Sequence, residues 1–319
     1  MKVCLLSGGT GTPKLIQGLK KIMPEEDISV IVNTGEDTWV GDLYLSPDVD
    51  TVLYTFSDLI NEETWYGVKN DTFITHETLK KYESKDFKEF LKIGDRDRAL
   101  KMHKTHYIKK GYPLSKIIEM ESRMLNIKGK IYPMTDDNVE TKILIEEKDE
   151  DEKNRILLKF HDFWIKRRGR VERVLDIFYE NSNYARGTDG ALNAIENSDL
   201  VIIGPSNPIT SIGPILSIRD IKRALNNKII FAVSPIVGDG AISGPAGMLM
   251  DAKGYPVNIY GIYEYYGYLI NTLVIDNIDN TGDKIKNIKC NIVATNTIMD
   301  NIESRINLAR EIIKHYKNL

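Results

Sequence analysis

The chain has 319 residues, 42% of them hydrophobic and 28% charged, with a formal net charge of -3 and a pI near 6.0. That length can bury a sizeable core as one large domain or two. The balance excludes low-complexity, disulfide-rich and globally basic nucleic-acid-binding classes, so any polyanion site must be local. Cys4 and Cys290 lie in apolar segments with no CxxC or Cys/His cluster, which reads as buried thiols in a reducing compartment. No run approaches a membrane span, and the apolar stretch before the first glycines is too short for a signal-peptide core. A cytoplasmic location is expected.

In chain order, "KVCLL" reads as a strand that delivers "SGGTGTPK" to the helix "TPKLIQGLKKI", where Pro13 sits in a tolerated first-turn position. The loop matches neither familiar fingerprint. A Walker loop needs Gly-Lys-Ser/Thr, but Gly11 is followed by Thr12, Pro13 and Lys14; a dinucleotide fingerprint needs Gly or Ala where Lys14 stands. Glycines nonetheless let a backbone approach closely, threonines add hydroxyls, and a helix start presents unpaired N–H groups. A turn that merely tightens the junction is the plainer alternative. Gly8, Gly9 and Gly11 with Thr10 and Thr12 exceed what a turn needs, so phosphate or pyrophosphate binding is expected there.

The second strand, "ISVIVN", runs into "NTGEDTW". Asn33, Thr34, Glu36 and Asp37 then stand at a strand's carboxyl end, either as ligand contacts or as turn and capping groups. "SPDVDTVLY" opens a helix that Asp48 or Asp50 could cap, leaving the other free to hold magnesium or take a proton from a hydroxyl. From 59 to 128 no convincing strand is found; "LKIGDRDRALKMHKTHYIKK" and "LSKIIEMESRML" read as amphipathic helices of an insertion or cap within an α/β domain of 1–58 and 129–319. Asp95, Arg96, Asp97 and Arg98 are a surface network or cations facing a phosphate loop. His103 and His106 have no third ligand in view, which favours a solvated face over a metal pair.

"IYPMTD", "ETKILIEE" and "RILLKFHDFWI" are strand-like, with "EKDEDEKN" as a hairpin tip. Arg167, Arg168 and Arg170 follow Phe163 and Trp164, a place for a flat ring to stack. "DLVIIG", "KIIFAVSP" and "NTLVID" are further strands apolar on successive positions, as in parallel sheets covered on both faces, with "IRDIKRALNN" a helix among them. "GPSNPITSIGP" lacks the second glycine of a nucleophile elbow, so Ser206 is no hydrolase nucleophile. With "SPIVGDGAISGPAG" it suits a nucleotide instead. Three polar loops at strand ends predict one crevice.

Together, "SGGTGTPKL", "VNTGEDTW", "SPDVDTVLY", "LKIGDRDRA", "FHDFWIKRRG", "IGPSNPITSIGPIL" and "VSPIVGDGAISGPAG" resemble the archaeal 2-phospho-L-lactate transferase family, from residue 1 to about 270 and on towards the end. Residues and resemblance imply an α/β fold: a three-layer, Rossmann-like, mostly parallel sheet with helices on both faces and a small helical insertion. The resemblance implies transfer of a phospholactyl group from lactyl-2-diphospho-5'-guanosine to the deazaflavin alcohol Fo, with GMP released, coenzyme F-420-0 formed and Mg2+ required. It also implies that Asp50 and Lys92 contact Fo.

On that reading Gly8, Gly9, Thr10, Gly11 and Thr12 hold the diphosphate, and Asp50 orients or deprotonates the acceptor hydroxyl. Lys92 or Arg96 offsets the developing charge. Asn33, Ser206, Asn207, Ser211 and Ser234 serve the nucleotide, and Asp48 and Asp50 are metal candidates. A homodimer acting on small molecules, without nucleic acid or membrane, is expected. Nucleotide-sugar-binding regulators of the gluconeogenesis-factor type begin with a similar Gly-Gly-Thr-Gly loop but are not expected to carry "LKIGDRDRA" or "FHDFWIKRRG". An NAD-dependent dehydrogenase is disfavoured at Lys14. Whether the donor carries a lactyl, enolpyruvyl or glyceryl group is open at this level.

Overall fold

A computed structural model describes residues 1–149, 152–238, 240–242 and 244–319. Seven apolar segments form parallel strands: β1 (Val3–Ser7), β2 (Ile28–Val32), β3 (Lys130–Pro133), β4 (Leu200–Ile203), β5 (Ile230–Val233), β6 (Thr272–Asp276) and β7 (Asn291–Thr295). Their order across the sheet is β7-β6-β5-β4-β1-β2-β3. The direction of winding therefore reverses between β1 and β4, and their carboxyl ends part to leave a crevice, the usual place for a ligand in such sheets.

Successive side chains of a strand point to opposite faces, which explains the unbroken apolar runs. Leu5, Val30, Val32, Leu200, Ile202 and Phe231 enter one core, while Cys4, Leu6, Ile31, Val201, Ile203 and Ala232 enter the other. Burial pushes the Cys4 thiol up to about 12, so it is a packing group rather than a nucleophile. The sheet carries helices on both faces, the expected three-layer α/β arrangement.

Helix α1 (Gly11–Lys20) follows β1, and α2 (Pro47–Phe56) follows β2 after a small hairpin of Thr38–Val40 and Leu43–Leu45. The C-terminal helix Ile302–Lys317 lies along α1; its approach is so close that a methyl group on Gly18 would strike the Arg305 carbonyl. Between α2 and β3 come α3 (Ile74–Lys81), α4 (Asp95–Lys109) and α5 (Leu114–Met124). Helix α3 has no clear apolar stripe, with His76 its one buried residue, so periodicity could not reveal it.

Other differences from the sequence reading are local. Glu140–Asp149, Glu152–Lys159 and Arg173–Glu180 form an antiparallel sheet with the first strand central. The strand expected over "RILLKFHDFWI" stops at Lys159, and Asp162–Lys166 is a turn of π-helix that buries Phe163. Of the expected hairpin tip, residues 150 and 151 lie outside the described residues, as do 239 and 243 of the "SPIVGDGAISGPAG" loop. Ser46 rather than an aspartate occupies the cap position of α2, so Asp48 and Asp50 are both first-turn residues with other work.

Candidate active site

The crevice between β1 and β4 has a volume of about 230 Å³. Its floor is Gly9, Thr10 and Gly11; Pro205, Ser206, Asn207, Thr210 and Ser211 come from beyond β4, and Pro235 from beyond β5. Glu36 and Asp48 line it from beyond β2, Lys14 from α1, Trp164 from the π-helical turn, and Thr297 and Met299 from beyond β7. Three loops were expected to converge; five do. The segment after β7, "NTIMD", carries no glycine-rich signature and a single aspartate.

The glycine loop is shaped first by the protein itself. A methyl on Gly11 would collide with the Pro205 carbonyl, and one on Gly9 with the Asp48 carboxylate, so neither site admits a side chain. The Gly8 N–H donates to Ser206 Oγ at 3.1 Å, and Thr12 Oγ1 shares a hydrogen bond with the same oxygen at 2.7 Å. Gly8, Thr12 and Ser206 therefore lock the loops of β1 and β4 together, and of these only Ser206 lines the crevice. No side chain caps α1, whose cap residue Thr10 is exposed. Its first N–H groups are free of that competition for an anion.

Asn33 is buried and holds Asp48: its Nδ2 donates to Asp48 Oδ2 at 2.9 Å and to the Thr210 carbonyl at 3.1 Å, while Oδ1 accepts from the Gly35 N–H. It orients the site without lining it. Asn207 Oδ1 accepts from the Ile209 and Thr210 N–H groups, a capping role at the crevice edge. Ser234 is fully buried and turns back on Ile236, so it is not placed to touch a nucleotide; its neighbour Pro235 is. Phe163 is in the core, whereas Trp164 offers its ring to the crevice.

The electrostatics are uneven. Burial pushes Asp48 up to about 7, and the Asn33 hydrogen bond only partly offsets it. Glu36 is raised well above its ordinary range by burial and then by the charge of Asp48. Asp37 is raised by burial as well, although Ser46 and Tyr44 donate to its Oδ2 at 2.7 and 3.1 Å; its Oδ1 has no partner among the described residues. Two adjacent carboxylates that resist ionisation suit a hard divalent cation supplied with a substrate. Among the described residues no group of three or more His, Cys, Asp or Glu side chains is placed to hold a metal. Glu36 and Asp48 would hold magnesium only in company with water or phosphate oxygens, as that ion commonly binds.

Asp50 is set apart from the crevice. It does not line the crevice; it is buried between α2 and α4, with Lys101 Nζ donating to Oδ2 at 2.9 Å and Lys104 Nζ to Oδ1. Burial acts to raise its pKa, but the two lysines prevail and hold it below the ordinary carboxylate range. With both oxygens taken by ammonium groups it is a poor proton acceptor and an unsuitable metal ligand. The network continues from Lys101 to Asp97 (2.6 Å), from Asp97 to the Tyr54 hydroxyl (2.7 Å), and from Lys104 to Glu121 (3.6 Å).

Lys101 and Lys104 went unnoticed in the sequence, although with Asp97 they occupy one face of α4 at helical spacing. His103 meets Glu121, and His106 is exposed. Lys92 is exposed with its ammonium 4.2 Å from the centre of the Phe73 ring, and Arg96 is exposed at the start of α4; neither lines the crevice.

An open parallel sheet with a polar crevice at its switch point defines a Rossmann-like α/β protein of the ligand-binding kind. The model of the family described as "2-phospho-L-lactate transferase CofD" matches residues 3–313. A 2-phospho-L-lactate transferase of Methanococcus maripaludis is 64% identical over the full length of both chains, and that of Methanocaldococcus jannaschii is 61% identical over 98% of this chain and 97% of its own. One from Methanothermobacter thermautotrophicus is 44% identical at 98% and 97% coverage. A solved structure of a upf0052 family member from Bacillus halodurans superposes with a TM-score of 0.64 over 98% of both chains at 15% identity, which speaks for the fold alone. The chain belongs to the 2-phospho-L-lactate transferase family. No helix among the described residues is long and apolar enough to cross a membrane.

Proposed function

We propose that the protein moves the 2-phospholactyl group of lactyl-2-diphospho-5'-guanosine to the terminal ribityl hydroxyl of 7,8-didemethyl-8-hydroxy-5-deazariboflavin (Fo), forming coenzyme F-420-0 and GMP. Family membership supports the reaction class. The observation that carries the reading is the crevice, which joins a free helix start, hydroxyl groups and a carboxylate pair at the switch point.

In this reaction the Fo hydroxyl oxygen bonds to the phosphorus bearing the lactyl group. The bond from that phosphorus to the bridging oxygen breaks, GMP departs with that oxygen, and the hydroxyl proton ends on the GMP phosphate. Phosphoryl transfer asks mainly for positioning and charge stabilisation, so a strong protein base is unnecessary. Thr10 and the first turn of α1 would hold the diphosphate, Trp164 would stack on a ring, and Glu36 and Asp48 would hold magnesium, which when bound neutralises developing phosphate charge. Asp50, kept ionised by Lys101 and Lys104 outside the crevice, is assigned to the acceptor side by the family resemblance alone. Lys92 is assigned to the acceptor side by the family resemblance, and Lys92 or Arg96 would offset the developing charge. The same chemistry fits a soluble, cytoplasmic homodimer.

Incubation with Fo, magnesium and the lactyl, enolpyruvyl or glyceryl guanylyl donor should release GMP in step with a phosphorylated deazaflavin for at least one donor. No product with any of them contradicts the assignment. Asp50→Asn should raise KM for Fo roughly tenfold or more, the size of a lost charge-assisted hydrogen bond. Near-normal kinetics would remove Asp50 from the acceptor site.

A further inference from the structure

In the sequence Lys14 breaks two fingerprints. In the structure it stands one turn into α1 behind the glycine loop, half-buried, and its side chain lines the crevice together with Thr10, Thr297 and Met299. Its ammonium lies 5.2 Å from the centre of the Trp65 ring, and the Arg305 guanidinium lies 4.7 Å from the same ring. Arg305 Nε has no partner among the described residues, but the guanidinium donates to Gln17 at 2.5 Å and is ion-paired with Glu62 at 2.7 Å. Lys14 is not: among the described residues no carboxylate comes within ion-pair distance of it, although the charge of Asp300 is felt from further away. Burial first, and then the like charge of Arg305, lower its pKa.

The crevice thus contains two charges of opposite sign that do not compensate each other. Lys14 answers electrically to Arg305 and Asp300, while Glu36 and Asp48 answer to one another, Asn33 and Thr210. A ligand that satisfies both must bring an anion to the ammonium and a cation to the carboxylates, which is the description of a metal-bound polyphosphate ester.

We infer that Lys14 is a donor-binding residue that neutralises an anionic oxygen of the phosphorylated donor. The inference deepens the proposed function and rests on it. Trp65 holds the ammonium over its ring at the crevice wall; the anion is one of the donor's diphosphate oxygens or the carboxylate of its acyl group. The residue contributes binding and charge, and no proton needs to leave it.

The test compares wild type, Lys14→Met and Lys14→Arg in titrations with magnesium–GDP and with the lactyl donor, alongside thermal melts. Lys14→Met should weaken binding about 10- to 100-fold, as expected for a lost partly buried ion pair, and Lys14→Arg should recover most of it. KM for Fo should stay within about twofold. Methionine keeps the packing on Trp65, and a charge that burial and Arg305 disfavour is removed, so the melting temperature should not fall. Equal weakening towards GDP and donor places the ammonium on the diphosphate; weakening towards the donor alone places it on the acyl carboxylate. Unchanged affinity for both, or a melting temperature that drops with affinity intact, overturns the inference. Wild type that binds magnesium–GDP but turns over no Fo counts against the transferase reading alone.

Discussion

Asp48 and Asp50 are two residues apart in the first turn of α2, equally buried, and electrostatically opposite. Asp50 faces α4, where two lysine ammonium groups hold it ionised. Asp48 faces the crevice, where the Asn33 amide is its one hydrogen-bond donor among the described residues and Glu36 is a second carboxylate, so it resists ionisation up to about pH 7. The network under α4 is complete within the protein. The crevice is not: the carboxyl pair Glu36 and Asp48, which resists ionisation, and the Lys14 ammonium are what a ligand would meet. Incomplete electrostatics mark a functional site more clearly than the mere presence of charged groups.

The contrast can be broken at either end. The largest stability effect is expected from Lys104→Met, which strips one partner from Asp50 and one from Glu121 in a fully buried place. Losing one side of a buried pair should cost about 3–5 kcal/mol, read from the urea midpoint. On the crevice side, Asp48→Asn should reduce kcat by about 100- to 1,000-fold in the presence of magnesium, comparable to removing one strong electrostatic group from an active site.

The same substitution should have the opposite effect on stability. A carboxyl whose folded pKa is raised binds its proton more tightly when folded, so its contribution falls as pH rises from the ordinary carboxylate range towards about 7. Without magnesium, Asp48→Asn should therefore be more stable than wild type by roughly 1–3 kcal/mol at pH 8 and nearly equal to it at pH 4. For Asp50 the sign reverses: a depressed pKa gives stability above the ordinary carboxylate range that is lost as pH falls through the folded value. Wild type should accordingly lose the α2–α4 network only in strong acid. The smallest effect belongs to the exposed Glu119–Arg123 pair on α5, where Arg123→Ala should leave the urea midpoint unchanged.

Most of the sheet was legible because buried parallel strands write themselves as continuous Val, Ile and Leu runs. β7 was not, since "NIVAT" is short and half-exposed at a sheet edge. The crevice was legible as loops at strand ends, but not as roles within it. Sequence could group Gly8 to Thr12, yet it could not show that Gly8, Thr12 and Ser206 bind one another rather than a ligand. Nor could it separate Asp48 from Asp50, because neighbours in one helical turn face different partners according to tertiary packing. The α4 lysines and Lys14 needed the same information: a lysine on a helix reads as solvated until the structure shows what surrounds it.

The central claim is that Asp48 carries a buried charge the free protein does not neutralise and a magnesium-bound donor does. It is tested most directly by melting wild type and Asp48→Asn at pH 8, each with and without magnesium–GDP. The free variant should melt above free wild type, and magnesium–GDP should raise the melting temperature of wild type but hardly that of the variant. A free variant that melts lower, together with an undiminished shift on adding magnesium–GDP, would contradict it.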